Sequence, residues 1–177
     1  FDSLRQRVHL FQQFRGRTIL KEYLALVLGA PSEPMGELDA PIEEHPIDKT
    51  RMQIAHRGGK HSLTLYEVVE RFRGHALVRC FPRTGRRHQI RLHLAHAGAP
   101  VAGDALYGGG EGLFLSAIKR GFRPKPDRPE PPLIGRMALH AAAIEFTHTS
   151  GRTVRVEAPL ANDFARVLKA LRKWSQP

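Results

Sequence analysis

A single cysteine, Cys80, excludes an internal disulfide and a cysteine-built zinc site, and it fits a reducing compartment. No apolar run approaches the length that spans a bilayer, and Phe1-Asp2-Ser3-Leu4-Arg5 lacks the charged and apolar regions of a signal peptide. These absences set aside membrane and secreted readings and lead to the expectation of a cytoplasmic protein. Acidic residues are also scarce. Asp and Glu number 17 against 28 Lys and Arg, which leaves a net charge of +11 with ten histidines neutral and a pI near 10.6. Such an excess favours a polyanionic partner, nucleic acid first among them, over a merely soluble basic surface. Phe1 stands where a starting methionine would, and the expectation drawn from it is that sequence upstream has been removed.

What remains is ordinary for a folded protein. A hydrophobic share of 41% and a charged share of 25% belong to a globular chain, and 177 residues suit one domain, 1–177, with a core that needs no disulfides. From Asp2 to Arg15 the apolar residues Leu4, Val8, Phe11 and Phe14 form the stripe of an amphipathic helix that Gly16 ends. Thr18 to Leu28 reads as a strand apolar on both alternating sets, hence central and covered on both faces, with Lys21 and Tyr23 on one of them. Ala30 to Lys60, rich in Pro, Gly and charge, reads as an irregular surface excursion. Ser62 to Phe72 and His75 to Phe81 form a hairpin turning at Arg73-Gly74. Ile90, Leu94 and Ala97 are spaced for a helix that Gly98 and Pro100 stop, although Ile90-Leu92-Leu94 alternates as well. Residues 108–135 read as a long loop with one turn of helix, followed by a hairpin of Leu139 to Thr147 and Thr153 to Ala158. A last helix from about Asp163 buries Phe164, Val167, Leu168, Leu171 and Trp174. The expected class is α+β: a mixed, mostly antiparallel sheet with flanking helices.

The chemistry-bearing segment runs from Arg83 to His96. It holds Arg83, Arg86, Arg87, Arg91, His88, His93 and His96. On a helix Arg87 and Arg91 lie one turn apart, where two guanidiniums grip phosphates or hold a carboxylate. Arg91 sits inside an apolar stripe, which favours a functional arginine over a solvated basic face. The histidines lack an acidic ligand between them and the HExxH pattern, so no metal is expected. No GxSxG elbow and no Walker-type phosphate loop occurs. Read from the residues alone, Tyr23 is a core tyrosine, and the chain is a basic domain that meets nucleic acid.

Thr84-Gly85-Arg86-Arg87-His88-Gln89-Ile90-Arg91-Leu92-His93, continued by Gly98-Ala99-Pro100-Val101-Ala102-Gly103-Asp104-Ala105-Leu106-Tyr107-Gly108, resembles the signature of RluA-type pseudouridine synthases. Lys21-Glu22-Tyr23-Leu24-Ala25-Leu26-Val27 resembles that family's tyrosine strand, and Leu139-His140-Ala141 and Ala158-Pro159-Leu160 its end. The resemblance implies isomerisation of uridine to pseudouridine in ribosomal or transfer RNA, by a monomer that uses no metal and no nucleotide cofactor. It assigns Tyr23 to the tyrosine that stacks on the target base and Arg91 to the arginine that pairs with the catalytic aspartate. Lys21, Arg83, Arg86, Arg87, His88 and Gln89 are then the residues that line the RNA cleft. One part is absent. The family's catalytic aspartate lies in a His-Arg-Leu-Asp motif before the tyrosine, and only Asp2, outside any such motif, precedes Tyr23 here. The expectation is an N-terminally truncated synthase, inactive by itself, and the alternatives are a non-catalytic RNA-binding protein with a synthase-like cleft or a basic structural protein of the ribosome.

Overall fold

In the computed structural model, which describes residues 3–177, the elements run α1 (Ser3–Gly16), β1 (Leu20–Leu28), β2 (Met35–Asp39), β3 (Ile42–Glu44), β4 (Met52–Ile54), β5 (Leu63–Phe72) and β6 (His75–Pro82). They continue with α2 (Gln89–His96), a 3₁₀ turn at Ala105–Tyr107, α3 (Leu115–Ile118), β7 (Leu139–Thr147), β8 (Thr153–Glu157) and α4 (Asn162–Trp174). Phe1 and Asp2, where the sequence places the start of the first helix, lie outside the described residues. Six strands form one sheet in the order β2-β5-β6-β1-β7-β8, and each neighbouring pair is antiparallel. The α+β class expected from the hairpins is the class observed. No helix among the described residues is long and apolar enough to cross a membrane.

The alternation of β1 explains its central place. Ala25 and Val27 share a face with Val78 and Ala76 of β6, and that face is closed by Ile90 and Leu94 of α2. Leu26 faces the other way with Leu77, under α4, whose Phe164 ring lies 6.4 Å from that of His140. Each of Phe164, Val167, Leu168 and Leu171 is at most 3% exposed. Such side chains contribute about 1.5–3 kcal/mol each when taken out of water. Trp174 departs from the expected buried stripe: it is 37% exposed, with the Lys119 and Lys173 ammoniums 4.3 and 4.7 Å from its ring. The first residues of β1 depart as well. Only Ala25, Leu26 and Val27 are fully covered, and Leu20 is exposed.

Two further expectations are corrected. Residues 30–60 are not irregular: β2 adds an edge strand to the main sheet, and β3 pairs with β4 in a separate hairpin. These strands are three to five residues long and β2 is largely exposed, so neither offers a readable period. The apolar stripe of α1 also faces outward, with Leu4 and Phe11 each 67% exposed. The helix is attached through polar groups instead. Gln13 donates to the Thr147 carbonyl at 2.7 Å and accepts the Thr147 N–H at 2.8 Å.

Candidate active site

Two elements bring Tyr23 and Arg91 together. Tyr23 stands on β1, paired with Cys80 of β6 on one side and Ala141 of β7 on the other. Arg91 stands in the first turn of α2, which crosses the same sheet face. A buried polar network fixes that helix on the sheet. The Thr84 hydroxyl donates to Gln89 Oε1 at 2.7 Å and accepts the Leu63 N–H at 3.1 Å. Gln89 Nε2 donates to the Leu63 carbonyl and to Thr64 Oγ1, at 2.9 and 3.0 Å. His93 Nε2 lies 3.1 Å from the Ala40 carbonyl, which accepts only, so Nε2 carries the proton and Nδ1 accepts from the Thr64 hydroxyl at 3.0 Å. Burial, the largest cause, holds the His93 pKa below the usual histidine value, as a neutral ring with one donor and one acceptor requires.

Tyr23, Arg91, Lys21, Arg86, His88 and Gln89 line one open pocket of about 270 Å³, with Pro82, Met137 and Leu139 among its apolar parts. That volume is near the lower end for small-ligand sites, about 300 Å³. Lys21 has its pKa lowered, first by burial and then by the nearby Arg17. His88 has its pKa lowered by burial first and then by Arg91 and Arg87, against the opposing pull of Asp104. Larger cavities exist. One of 380 Å³ is lined by Leu20, Glu22, Leu65, Phe81 and Arg155, whose side chains alternate with Tyr23 and Cys80 and so open on the opposite sheet face. Another of 520 Å³, between β3–β4 and the loop before α2, shares Gly85 and Arg86 with the Tyr23 pocket.

The expected residues divide accordingly. Arg83 points to the 380 Å³ cavity and Arg87 to the 520 Å³ groove, so neither lines the pocket of Tyr23. Arg87 is not one helical turn from Arg91 as the spacing predicts. His88 adopts φ 56, left-handed backbone, and α2 begins only at Gln89, which leaves Arg87 outside the helix and donating to the Lys49 carbonyl. The Gln89 amide is engaged by protein partners at both ends and forms wall rather than a free polar group.

Arg91 has a partner that the sequence reading did not foresee. Its Nε and Nη2 donate to Asp104 Oδ2 and Oδ1, both at 2.7 Å, and the Asp104 side chain is 1% exposed. This fork-to-fork contact raises the arginine's pKa, hydrogen bonding to Asp104 being the largest cause. The Tyr107 ring lies 4.9 Å from the same guanidinium. Gly103-Asp104-Ala105-Leu106-Tyr107-Gly108 was visible as a motif, but nothing in its spacing says that it turns back onto α2. Among the described residues no group of three or more His, Cys, Asp or Glu is placed to hold a metal ion.

The sequence profile described as RNA pseudouridylate synthase matches residues 6–96, which include both Tyr23 and Arg91. The chain belongs to the RNA pseudouridylate synthase family. Among curated relatives of that family, the "Ribosomal large subunit pseudouridine synthase D" of Xanthomonas campestris pv. campestris is 39% identical over 180 residues, covering 98% of this chain and 50% of that protein. The "RNA pseudouridine synthase 2, chloroplastic" of Arabidopsis thaliana is 36% identical, covering 93% of this chain and 41% of that protein. The chain thus spans about half the length of these curated relatives. Among solved structures, "Human RNA Pseudouridylate Synthase Domain Containing 1" superposes with a TM-score of 0.66 at 26% identity, covering 96% of this chain and 72% of that one. The pseudouridylate synthase fold is therefore the fold observed here.

Proposed function

We propose that this chain carries the tyrosine and arginine side of an RNA uridine-isomerising site. The convergence of Tyr23 and Arg91 in one pocket of about 270 Å³, rimmed by Lys21, Arg86 and His88, carries this reading. A base inside a stacked strand is out of reach of such a pocket, so the target uridine is extruded and lies against the Tyr23 ring. A carboxylate displaces the uracil from C1′ as the C1′–N1 bond breaks, the freed uracil turns, and its C5 displaces the carboxylate as the C1′–C5 bond forms. The proton on C5 is then lost and N1 gains one, with Tyr23 the candidate for the transfer at C5. Bonds broken and formed balance within the nucleotide, so no metal and no nucleotide cofactor enters. The carboxylate comes from outside these 177 residues, in keeping with the absent His-Arg-Leu-Asp motif and with relatives about twice as long. Arg91 keeps it ionised and aimed at the bound uridine. The net charge of +11 supplies salt-sensitive attraction to RNA phosphates, ribosomal or transfer RNA being the substrate class, acted on in the cytoplasm by a monomer.

The same missing motif favours one second reading, a non-catalytic RNA-binding protein that retains the cleft. Tritium release from RNA labelled at uridine C5 separates the two, run with the protein in its natural sequence context beside this chain. Release by the former supports the isomerase; silence across ribosomal and transfer RNA supports the binder. In the active protein Arg91→Ala reduces release to a small measurable residue while most RNA affinity remains, and Tyr23→Phe loses turnover but retains the base stack. Normal turnover in either variant removes that residue from the mechanism.

A further inference from the structure

We infer that Asp104 and Tyr107 are positioning residues that hold the Arg91 guanidinium at one fixed angle to the pocket, an inference that rests on the isomerase reading above. Asp104 takes the Nε and Nη2 edge of the guanidinium in two bonds of 2.7 Å. The five N–H donors of an arginine form a planar fork, so closing one edge leaves the Nη1 side and the second Nη2 hydrogen for another acceptor. That is the geometry needed to present Arg91 to a second carboxylate. Tyr107 adds a surface for the guanidinium, with its ring centroid 4.9 Å from Cζ. A long side chain with many rotamers becomes a fixed donor.

Asp104 is not itself a nucleophile. It is 2% exposed, both its oxygens face the guanidinium, and it forms no part of the pocket wall. Its backbone is set independently of its side chain, since its carbonyl accepts the Tyr107 and Gly109 N–H groups and its N–H donates to the Val101 carbonyl. A Cβ on Gly109 would overlap that Val101 oxygen, so the turn closes only with glycine there. Tyr107 is tied down in turn. Its hydroxyl accepts the Met52 N–H at 2.8 Å and shares a 2.9 Å hydrogen bond with His88 Nδ1, which joins β4 to the residue just before α2. Asp104 and Tyr107 thus act on the reaction only through Arg91.

The test uses Asp104→Asn, alone and combined with Arg91→Ala, in the protein in its natural sequence context, with C5-tritium release under saturating and limiting RNA. Asp104→Asn keeps the shape and loses the charged fork; the expected result is a kcat about 10²-fold lower with KM changed less than about twofold, the size of effect that misplacing a catalytic group produces. In the Arg91→Ala background the same change is expected to add nothing to the residual rate, whereas a merely structural role would add its own loss. Wild-type kcat in Asp104→Asn, or additive losses in the double variant, overturns the inference and leaves the isomerase reading intact. No release from the wild-type protein overturns that reading, and the inference with it. Should Asp104→Asn lose its folded circular-dichroism signal, Tyr107→Phe takes its place. It keeps the ring, frees it from Met52 and His88, and is expected to lower kcat about tenfold at unchanged KM; an unchanged kcat there overturns the inference.

Discussion

Replacing Thr64 by valine should destabilise the chain far more than the loss of one hydroxyl from a surface would. Thr64 is fully buried, and its hydroxyl serves two partners at once: it donates to His93 Nδ1 and accepts from Gln89 Nε2. Valine fills the same space and serves neither. His93 is 1% exposed and Gln89 4%, so water cannot replace the lost partner. Leaving a buried polar group unpaired costs about 1–3 kcal/mol. His93 Nδ1 loses its one partner, whereas Gln89 Nε2 keeps the Leu63 carbonyl and loses one of two, so the total is about 2–4 kcal/mol. For a chain of this size each kcal/mol lowers Tm by about 2–4 °C, which places the shift at about 4–16 °C. Thr64→Ser is the control, since it keeps the hydroxyl and gives up one methyl, worth about 1 kcal/mol. Urea unfolding of the 177-residue chain, followed by circular dichroism, reads the difference. A Thr64→Val midpoint equal to wild type, or a serine variant less stable than the valine one, would falsify the tautomer and donor assignment that anchors α2.

Stability should also fall on the acid side. Burial is the largest cause holding His75, His88 and His93 below the ordinary histidine value of 6.5. Between those lowered values and about 6.5 the unfolded chain binds protons that the folded one refuses, so the contribution is complete above about pH 6.5 and is lost as pH drops below it. Urea midpoints measured from pH 8 to pH 5 should be level at first and then decline; a rise on acidification contradicts the assignment. Cys80 is fully buried and its thiol is pushed up to about 12, so the native chain at pH 8 should leave a thiol-specific disulfide reagent unreacted while the urea-unfolded chain reacts fully. Full labelling of the native chain within minutes would show that β6 opens readily.

How much was legible depended on how each element is stabilised. The hairpins of β5–β6 and β7–β8 and the α4 helix carry apolar periods longer than one turn or one strand pair, and their ranges could be read to within a residue or two. The hairpin β3–β4 could not, because Ile42 and Met52 are buried one at a time in a stretch otherwise full of charge. Leu4, Val8, Phe11 and Phe14 announced a helix correctly, but periodicity cannot say whether a stripe finds a partner, and here it points outward. At the site, Tyr23 gained its role only from the resemblance, since a phenol in an apolar strand looks like core. Arg91 stood out because it interrupts an apolar stripe. Asp104 did not, since its contact with Arg91 spans thirteen residues and exists only after the chain has turned at Gly103 and Gly109.

The irregular pairing of β1 with β7 bears on how the pocket can change over time. Glu22 pairs with Ala143 and Tyr23 with Ala141, so Ala142 is left over between them, its carbonyl accepting the Ala158 N–H. Tyr23 therefore stands between Cys80 and Ala141, two of the smallest side chains a strand can offer. Cys80 is sealed in the core, where a larger residue has nowhere to go, but Ala141 is exposed. Growth at position 141 meets solvent on one side and the tyrosine ring on the other. A larger side chain at this one position crowds the ring from its β7 side while leaving the sheet intact.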